Sequence, residues 1–194
     1  IVGDTPDSCE EALRDATSGA DVVVTSGGVS MGAYDVVKLT LRERGTVEFL
    51  QIAMQPDKPL GFGTVDGIPF FGLPGNPVSV FVSFEQFMRP ALLAMMGAEL
   101  LFRDRVTGIM DDGITTNPEK DVFVRVRTER AGDGRWHARL SGGQSSNVLS
   151  ALAFADALAV VHVGVGRVEP GGTVDLEMIH SPEARTRKEA LGDR

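Results

Sequence analysis

Residues 21–35 read Asp-Val-Val-Val-Thr-Ser-Gly-Gly-Val-Ser-Met-Gly-Ala-Tyr-Asp. A short apolar run, Val22 to Val24, ends in a small polar loop, Thr25-Ser26-Gly27-Gly28-Val29-Ser30. A Val-rich run with turn residues behind it predicts a strand buried on both faces. In open α/β sheets the loops at the carboxyl ends of such strands hold the ligand. A loop without bulk, supplied with amides and hydroxyls, suits an anion, and phosphate above all.

Upstream, Thr5 and Pro6 read as an N-cap followed by proline at the first helical position. Cys9, Ala12, Leu13 and Ala16 then share one helical face, and Gly19 closes the helix. Downstream, Asp35 caps a second helix through Val36, Val37, Leu39 and Leu41, which Gly45 ends. Val47 to Met54 reads as one strand. Lys58–Phe62 and Val65–Phe71 read as two more, with Asp66-Gly67 as the turn between them. Gly72-Leu73-Pro74-Gly75-Asn76-Pro77 is a second strong punctuation, with Asn76 as N-cap and Pro77 at N1. The helix behind it, Val78 to about Met96, is apolar on most faces. It belongs in a core or a subunit contact, and Pro90 should kink it.

Around Gly97 the pattern changes to short alternating runs separated by glycine turns. Val122–Arg127, Trp136–Leu140, Ala157–Val163 and Val174–Ile179 predict a small β-domain, with a short helix over about Asn147–Phe154. Ser181 to Arg194 reads as a charged tail, frayed or helical. The expected fold is therefore α/β, a mostly parallel sheet with flanking helices, followed by a small β-barrel-like domain. The domain boundaries are placed at 1–97, 98–180 and 181–194.

The formal charge of −8, from Asp+Glu 27 against Lys+Arg 19, argues against non-specific nucleic-acid binding. Anion affinity must then come from a local site and not from the overall field. No apolar stretch is clean enough to span a bilayer, and the first residues lack the pattern of a signal peptide. Cys9 is the sole cysteine, which excludes an intrachain disulfide and fits a reducing, cytoplasmic setting. His137, His162 and His180 lack ligand spacing, and His162 reads as a half-buried strand residue, so no zinc site is expected. Phe81, Phe84, Phe87 and Met88 read as core or interface and not as a cofactor box.

Three segments occur together in a telling order: Ser26-Gly27-Gly28-Val29-Ser30-Met31-Gly32 with Asp35, then Met54-Gln55-Pro56-Asp57-Lys58-Pro59, then Gly72-Leu73-Pro74-Gly75-Asn76-Pro77-Val78-Ser79. In that order and spacing the chain resembles the molybdopterin molybdenumtransferases, the MoeA family, which includes the E domain of gephyrin. The resemblance covers roughly residues 1–180. It implies that 1–97 is most of the MogA-like domain III, lacking its first strand, and that 98–180 is domain IV. It implies an enzyme of molybdenum cofactor biosynthesis that inserts molybdate into adenylylated molybdopterin and releases AMP, with Mg²⁺ assisting. It also implies a homodimer formed through a longer parent chain, with the present chain inactive by itself.

The same resemblance assigns the site. Asp4 and Asp35 match acidic positions and would hold the metal; with Lys58 they form the expected catalytic set. Ser26, Gly27, Gly28, Ser30, Gln51, Gln55, Pro74, Gly75, Asn76, Ser79 and Ser146 form the expected binding set. Two departures stand out. Gln51 and Gln55 replace lysines of some relatives, and Asp57 replaces a glycine beside Lys58. Glutamine donates a hydrogen bond but brings no charge to an oxyanion. Read as one strand or its exit, Gln51 and Gln55 share a face.

Two other readings compete. A MogA-like adenylyltransferase usually carries Gly-Gly-Thr-Gly where this chain has Gly27-Gly28-Val29-Ser30. A gephyrin-like peptide scaffold has no marked groove in the sequence. Each site residue also has a plain structural role: Asp35 and Asn76 as caps, Asp4 compensating a helix dipole, Gly75 serving backbone geometry.

Overall fold

The computed structural model describes residues 2–3, 5–27, 40–41, 43–56, 59–181 and 183–192. They fall into two compact units, 1–52 with 57–83 and 53–56 with 84–194.

The first unit opens with α1 (Pro6–Thr17), set by the sequence signals expected for it. The Thr5 side chain accepts from the Ser8 amide, Ser8 returns the bond, and Pro6 stands in the first turn. Leu13 is buried from this helix, with Cys9 and Ala16 packed beside it. Burial raises the Cys9 thiol above its ordinary pKa. Strand β1 is Val23–Ser26, shifted from the expected Val22–Val24. It is not buried on both faces: Val23 is in the core but Val24 is 41% exposed. Successive strand residues point to opposite faces, and only the Val23 face meets α1. The expected second helix lies mostly outside the described residues, but Thr40, Leu41, Glu43 and Arg44 are helical and Leu41 is fully buried.

The single strand expected over Val47–Met54 is two. Strand β2 (Glu48–Gln51) pairs in the first unit, whereas β3 (Met54–Gln55) belongs to the second unit. The continuous run of apolar and polar residues hides a break at Ile52-Ala53, because pattern cannot report which sheet an edge joins. Strands β4 (Pro59–Val65) and β5 (Ile68–Leu73) form the expected hairpin. Asp66 (φ 49°) and Gly67 (φ 82°) both take left-handed backbone, as a two-residue turn requires. Arg44 Nε donates to Asp66 at 3.2 Å and Thr17 Oγ1 donates to it at 3.0 Å. The Arg44 guanidinium holds the Asp66 carboxyl below its usual range.

The sheet order is β1-β5-β4-β2, with β1–β5 parallel and the other two pairings antiparallel, so the described sheet is mixed. Two glycines let the backbone close up behind it. A Cβ on Gly45 would sit 1.8 Å from the Thr64 carbonyl oxygen, and one on Gly63 2.5 Å from that of Thr46. Helix α2 (Pro77–Ser83) ends the unit and buries Val78, Ser79, Val82 and Ser83.

In the second unit the chain continues as a π turn, Phe84–Met88, and then α3 (Arg89–Met95). The disturbance expected at Pro90 therefore takes the form of a widened turn before it. Proline lacks an amide and its ring crowds the carbonyl four residues back, and a π turn opens that spacing. Met88 is buried and Phe84 and Phe87 are half-buried.

The rest of this unit is β-rich: β6 (Leu100–Arg103), β7 (Arg105–Met110), β8 (Ile114–Thr115), β9 (Asp121–Arg130) and β10 (Trp136–Leu140) precede helix α4 (Leu149–Ala153). Then follow β11 (Ala157–Val161), β12 (Arg167–Val168), β13 (Gly172–Met178), β14 (Glu183–Thr186) and helix α5 (Arg187–Leu191). Five strands run β10-β7-β13-β11-β9, and a β9–β10 pairing closes them into a barrel. β3 joins β9 in parallel outside the ring. The core includes Met110, Val122, Val124, Val126, Ala138, Ala157, Ala159, Val161, Val174 and Leu176, inward positions drawn from all five strands. The expected charged tail is more ordered than its composition suggests, since Glu183–Thr186 pairs with β6 before α5 begins. No described helix is long and apolar enough to cross a membrane.

Candidate functional site

The parallel pairing of β1 with β5 puts Ser26 opposite Leu73. Both strands therefore end together, and the chain leaves each through a glycine bend. The Gly27 amide donates to the Leu73 and Pro74 carbonyls at 3.2 and 3.3 Å. Ser26 Oγ lies 3.4 Å from the Pro74 carbonyl oxygen. Gly27 has φ 82°, which a side chain would oppose. A Cβ on Gly75 would lie 3.4 Å from the Gly27 Cα. The two bends thus lie backbone to backbone.

Behind the second bend, Asn76 caps α2. Its Oδ1 accepts from the Val78 amide at 3.3 Å and its carbonyl accepts from Val80 at 2.8 Å. Pro74 is wholly buried, which fixes the bend, and Gly75 is exposed at its tip. Among the described residues of this unit two hydroxyls are buried without a partner: Ser79 Oγ in the first turn of α2, and Thr25 Oγ1 just before Ser26. Buried hydroxyls are normally satisfied, so these two stand out. The described lining is neutral: backbone, hydroxyls and a helix start.

Residues 1–94 match the family described as a probable molybdopterin binding domain, and residues 107–179 match the MoeA C-terminal region, domain IV. Molybdopterin molybdenumtransferase 1 of Mycobacterium tuberculosis is 34% identical over 185 residues, a match covering 92% of this chain and 43% of that protein. Gephyrin of Dictyostelium discoideum is 33% identical over 207 residues, covering 92% of this chain and 29% of its own. The crystal structure of the MoeA protein from Pyrococcus horikosii matches with a TM-score of 0.72 at 25% identity, over 92% of this chain and 42% of that one. The chain belongs to the MoeA family. It spans less than half the length of these relatives.

Of the residues that the MoeA resemblance singles out, Ser26, Gly27, Pro74, Gly75, Asn76 and Ser79 are gathered around the two bends. Asp4, Gly28, Ser30, Asp35 and Lys58 lie outside the described residues. Gln51 and Gln55 do not share a strand face: Gln51 ends β2 opposite Pro59, and Gln55 pairs with Val122 in the second unit. The break at Ile52-Ala53 separates them. Ser146, half-buried, lies in the second unit on the loop between β10 and α4.

That loop is organised by a residue the sequence reading passed over. Arg125, in the middle of β9, is 1% exposed. Its Nη2 donates to the Gly143 and Ser145 carbonyls at 3.0 and 3.2 Å. Gln144 locks on from the other side, its Oε1 accepting from the Arg125 amide at 2.9 Å and its Nε2 donating to the Arg125 carbonyl at 3.1 Å. Among the described residues no carboxylate pairs with this guanidinium, and burial alone lowers its pKa from the ordinary arginine value. A buried cation held only by carbonyls casts its field on the Ser146 loop. The sequence signal was present: in Val122-Phe123-Val124-Arg125-Val126, arginine occupies a position flanked by buried residues.

His137 and His162 lie against carboxylates, and His180 Nε2 lies 3.1 Å from the Ala155 carbonyl oxygen. His137 Nδ1 is 2.7 Å from Asp111 and its Nε2 is 3.3 Å from Asp133. Asp111 first, then Asp133, raises the His137 pKa above its ordinary value. His162 stands just past β11, 51% exposed, and not half-buried in a strand as expected; Asp121 and Asp175 flank it. Among the described residues no group of three or more His, Cys, Asp or Glu side chains is arranged to hold a metal ion. The second unit has a shallow hollow of about 160 Å³, lined by Thr107, Val160, His162, Val168, Thr173 and Asp175. It falls well short of the ~300 Å³ at which small-molecule sites begin.

Proposed function

We propose that this chain carries the molybdopterin-binding portion and domain IV of a molybdopterin molybdenumtransferase. The activity is insertion of molybdate into adenylylated molybdopterin with release of AMP. The observation that carries the proposal is the backbone contact between the Ser26-Gly27 and Pro74-Gly75-Asn76 bends at the ends of two adjacent parallel strands. A phosphate-linked substrate needs close backbone approach and donors without bulk, and this cradle supplies both. Its task is positioning. The Ser26 hydroxyl faces phosphate oxygens, and the absence of side chains at Gly27 and Gly75 lets the phosphoanhydride approach backbone.

Magnesium requires hard oxygen ligands. Asp4 and Asp35 are the carboxylates proposed for it, and when bound it would neutralise phosphate charge. The described part of the cradle contributes neutral donors and no carboxylate, so its own action is on the phosphate oxygens. Molybdate is substrate. With Gln51 and Gln55 in different sheets, the proposed cation for it is Lys58. The working form is proposed to be a homodimer of the longer parent in a reducing cytoplasm.

The adenylyltransferase reading ranks lower, because a barrel follows the α/β unit and Val29 stands where that family has threonine. The peptide-scaffold reading ranks lower because no residue pattern in the chain marks a peptide site. Titration of the labelled chain with AMP tests the leading proposal. Amide shifts should concentrate at Ser26, Gly27, Gly75, Asn76, Val78 and Ser79. Saturable shifts confined to the second unit, or none up to millimolar AMP, would refute it.

A further inference from the structure

Strand β14 and helix α5 form the last described segment, and almost nothing apolar holds them. Helix α5 buries no residue, and its one large apolar side chain, Leu191, is 53% exposed. Strand β14 pairs with β6 alone, in a two-stranded ladder with two register shifts. What fastens the segment is charge. Glu183 pairs with Arg89 of α3 and lies 3.8 Å from Arg103. Arg185 Nε donates to the Arg103 carbonyl at 2.8 Å, its Nη2 reaches Glu177 at 3.5 Å, and its guanidinium lies 5.9 Å from the Phe102 ring centre. Arg103 Nη1 donates to the Ser181 carbonyl at 2.6 Å.

The seat beneath is complete without the segment. Glu85, on the π turn, is nearly buried and accepts from Arg103 Nε at 3.0 Å and Nη2 at 3.2 Å. Glu177, on β13, accepts from Gln86 at 2.6 Å and from Arg105 at 2.9 Å. Removing Glu183 and Arg185 together takes away one charge of each sign. Both buried carboxylates keep their partners, so opening leaves no buried ion unpaired, which is what ordinarily makes breaking such a network prohibitive.

We propose that residues 183–191 are a detachable strap, fastened electrostatically over the π turn and β6, whose opening is set by ionic strength. Its release leaves the barrel intact and uncovers the edge of β6, whose backbone then has no strand partner. Apolar contacts would make such a segment indifferent or more firmly held in salt; charge–charge contacts weaken as the screening length falls.

Hydrogen exchange on the full chain tests this. Between about 0.05 M and about 1 M sodium chloride the screening length drops from more than 10 Å to about 3 Å. Amides of 100–103 and 183–186 should exchange at least about tenfold faster than those of the β7–β13 ladder, and should quicken several-fold across that range while 105–110 stay unchanged. Glu183→Gln keeps the shape and removes the charge; it should quicken strap exchange at low salt and flatten the salt response. Strap amides as slow as the barrel ladder, a rate indifferent to salt, or a Glu183→Gln variant that exchanges like the parent would each overturn the proposal.

Discussion

Gly27 and Gly67 have the same φ of 82°, but only Gly27 touches the second bend. That makes the pair a matched experiment on the cradle. A left-handed conformation costs a non-glycine residue about 1–2 kcal/mol. An added Cβ has open space at Gly67, and at Gly27 it meets nothing closer than the Gly75 Cα at 3.9 Å, ordinary van der Waals contact. Alanine at either position should therefore lose stability by the backbone term alone, about 1–2 kcal/mol. The consequences for ligand should differ. On the proposed reading a methyl group at Gly27 stands where phosphate oxygens approach the bend, and AMP affinity should fall by at least about tenfold, equivalent to 1.4 kcal/mol. At Gly67, in the β4–β5 turn, affinity should stay within about twofold, because preserved bend geometry preserves the binding energy. Thermal unfolding gives the first quantity and AMP titration the second. If Gly27→Ala binds AMP as the parent does, at the same stability loss as Gly67→Ala, the cradle is not where phosphate sits and the reasoning fails.

Gly45→Ala should be far more damaging, since its Cβ would stand 1.8 Å from the Thr64 carbonyl oxygen, a backbone atom that cannot swing away; a loss of about 3 kcal/mol or more, read by denaturant unfolding, is expected. Arg125→Met removes a desolvated charge along with its bonds to Gly143 and Ser145, so global stability should change by no more than about 1–2 kcal/mol. Loop amides 142–146 should nonetheless lose exchange protection; retained protection would deny Arg125 its role in holding the loop. His137 gives a pH signature. Its pKa is raised in the fold by Asp111 and Asp133, so the stability it contributes is complete below the unfolded value of about 6.5 and fades as pH rises through the higher folded value. NMR titration of the His137 ring should show the raised pKa, and Asp111→Asn should lower it; an unperturbed ring in the parent would contradict the ion-pair geometry.

The parts of the fold that were legible in the sequence are those set by contacts close in the chain. Trp136–Leu140 emerged with its expected bounds because its alternation is flanked by glycine turns. Asp66-Gly67, Thr5-Pro6 and Asn76-Pro77 were readable because turns and caps are governed by the backbone preferences of two or three residues. The pairing of the two glycine bends was legible only through resemblance, as their residues lie nearly fifty positions apart. The misreadings have one cause. Val47–Met54 looked like one strand because alternation does not reveal that Gln51 and Gln55 end in different sheets. Ser181–Arg194 looked like a tail because a strand fastened by ion pairs has no apolar signature. Arg125 looked like one arginine in an alternating run until the barrel closed around it.

Composition, turn chemistry and two glycine-rich motifs by themselves determined that this is an α/β chain followed by a barrel. Tertiary structure alone decided that the cradle closes backbone to backbone, that a buried cation stands behind the Ser146 loop, and that the final strand is held by charge. Local preference is written into neighbouring residues, whereas desolvation and the sharing of polar partners exist only once distant segments of the chain have come together.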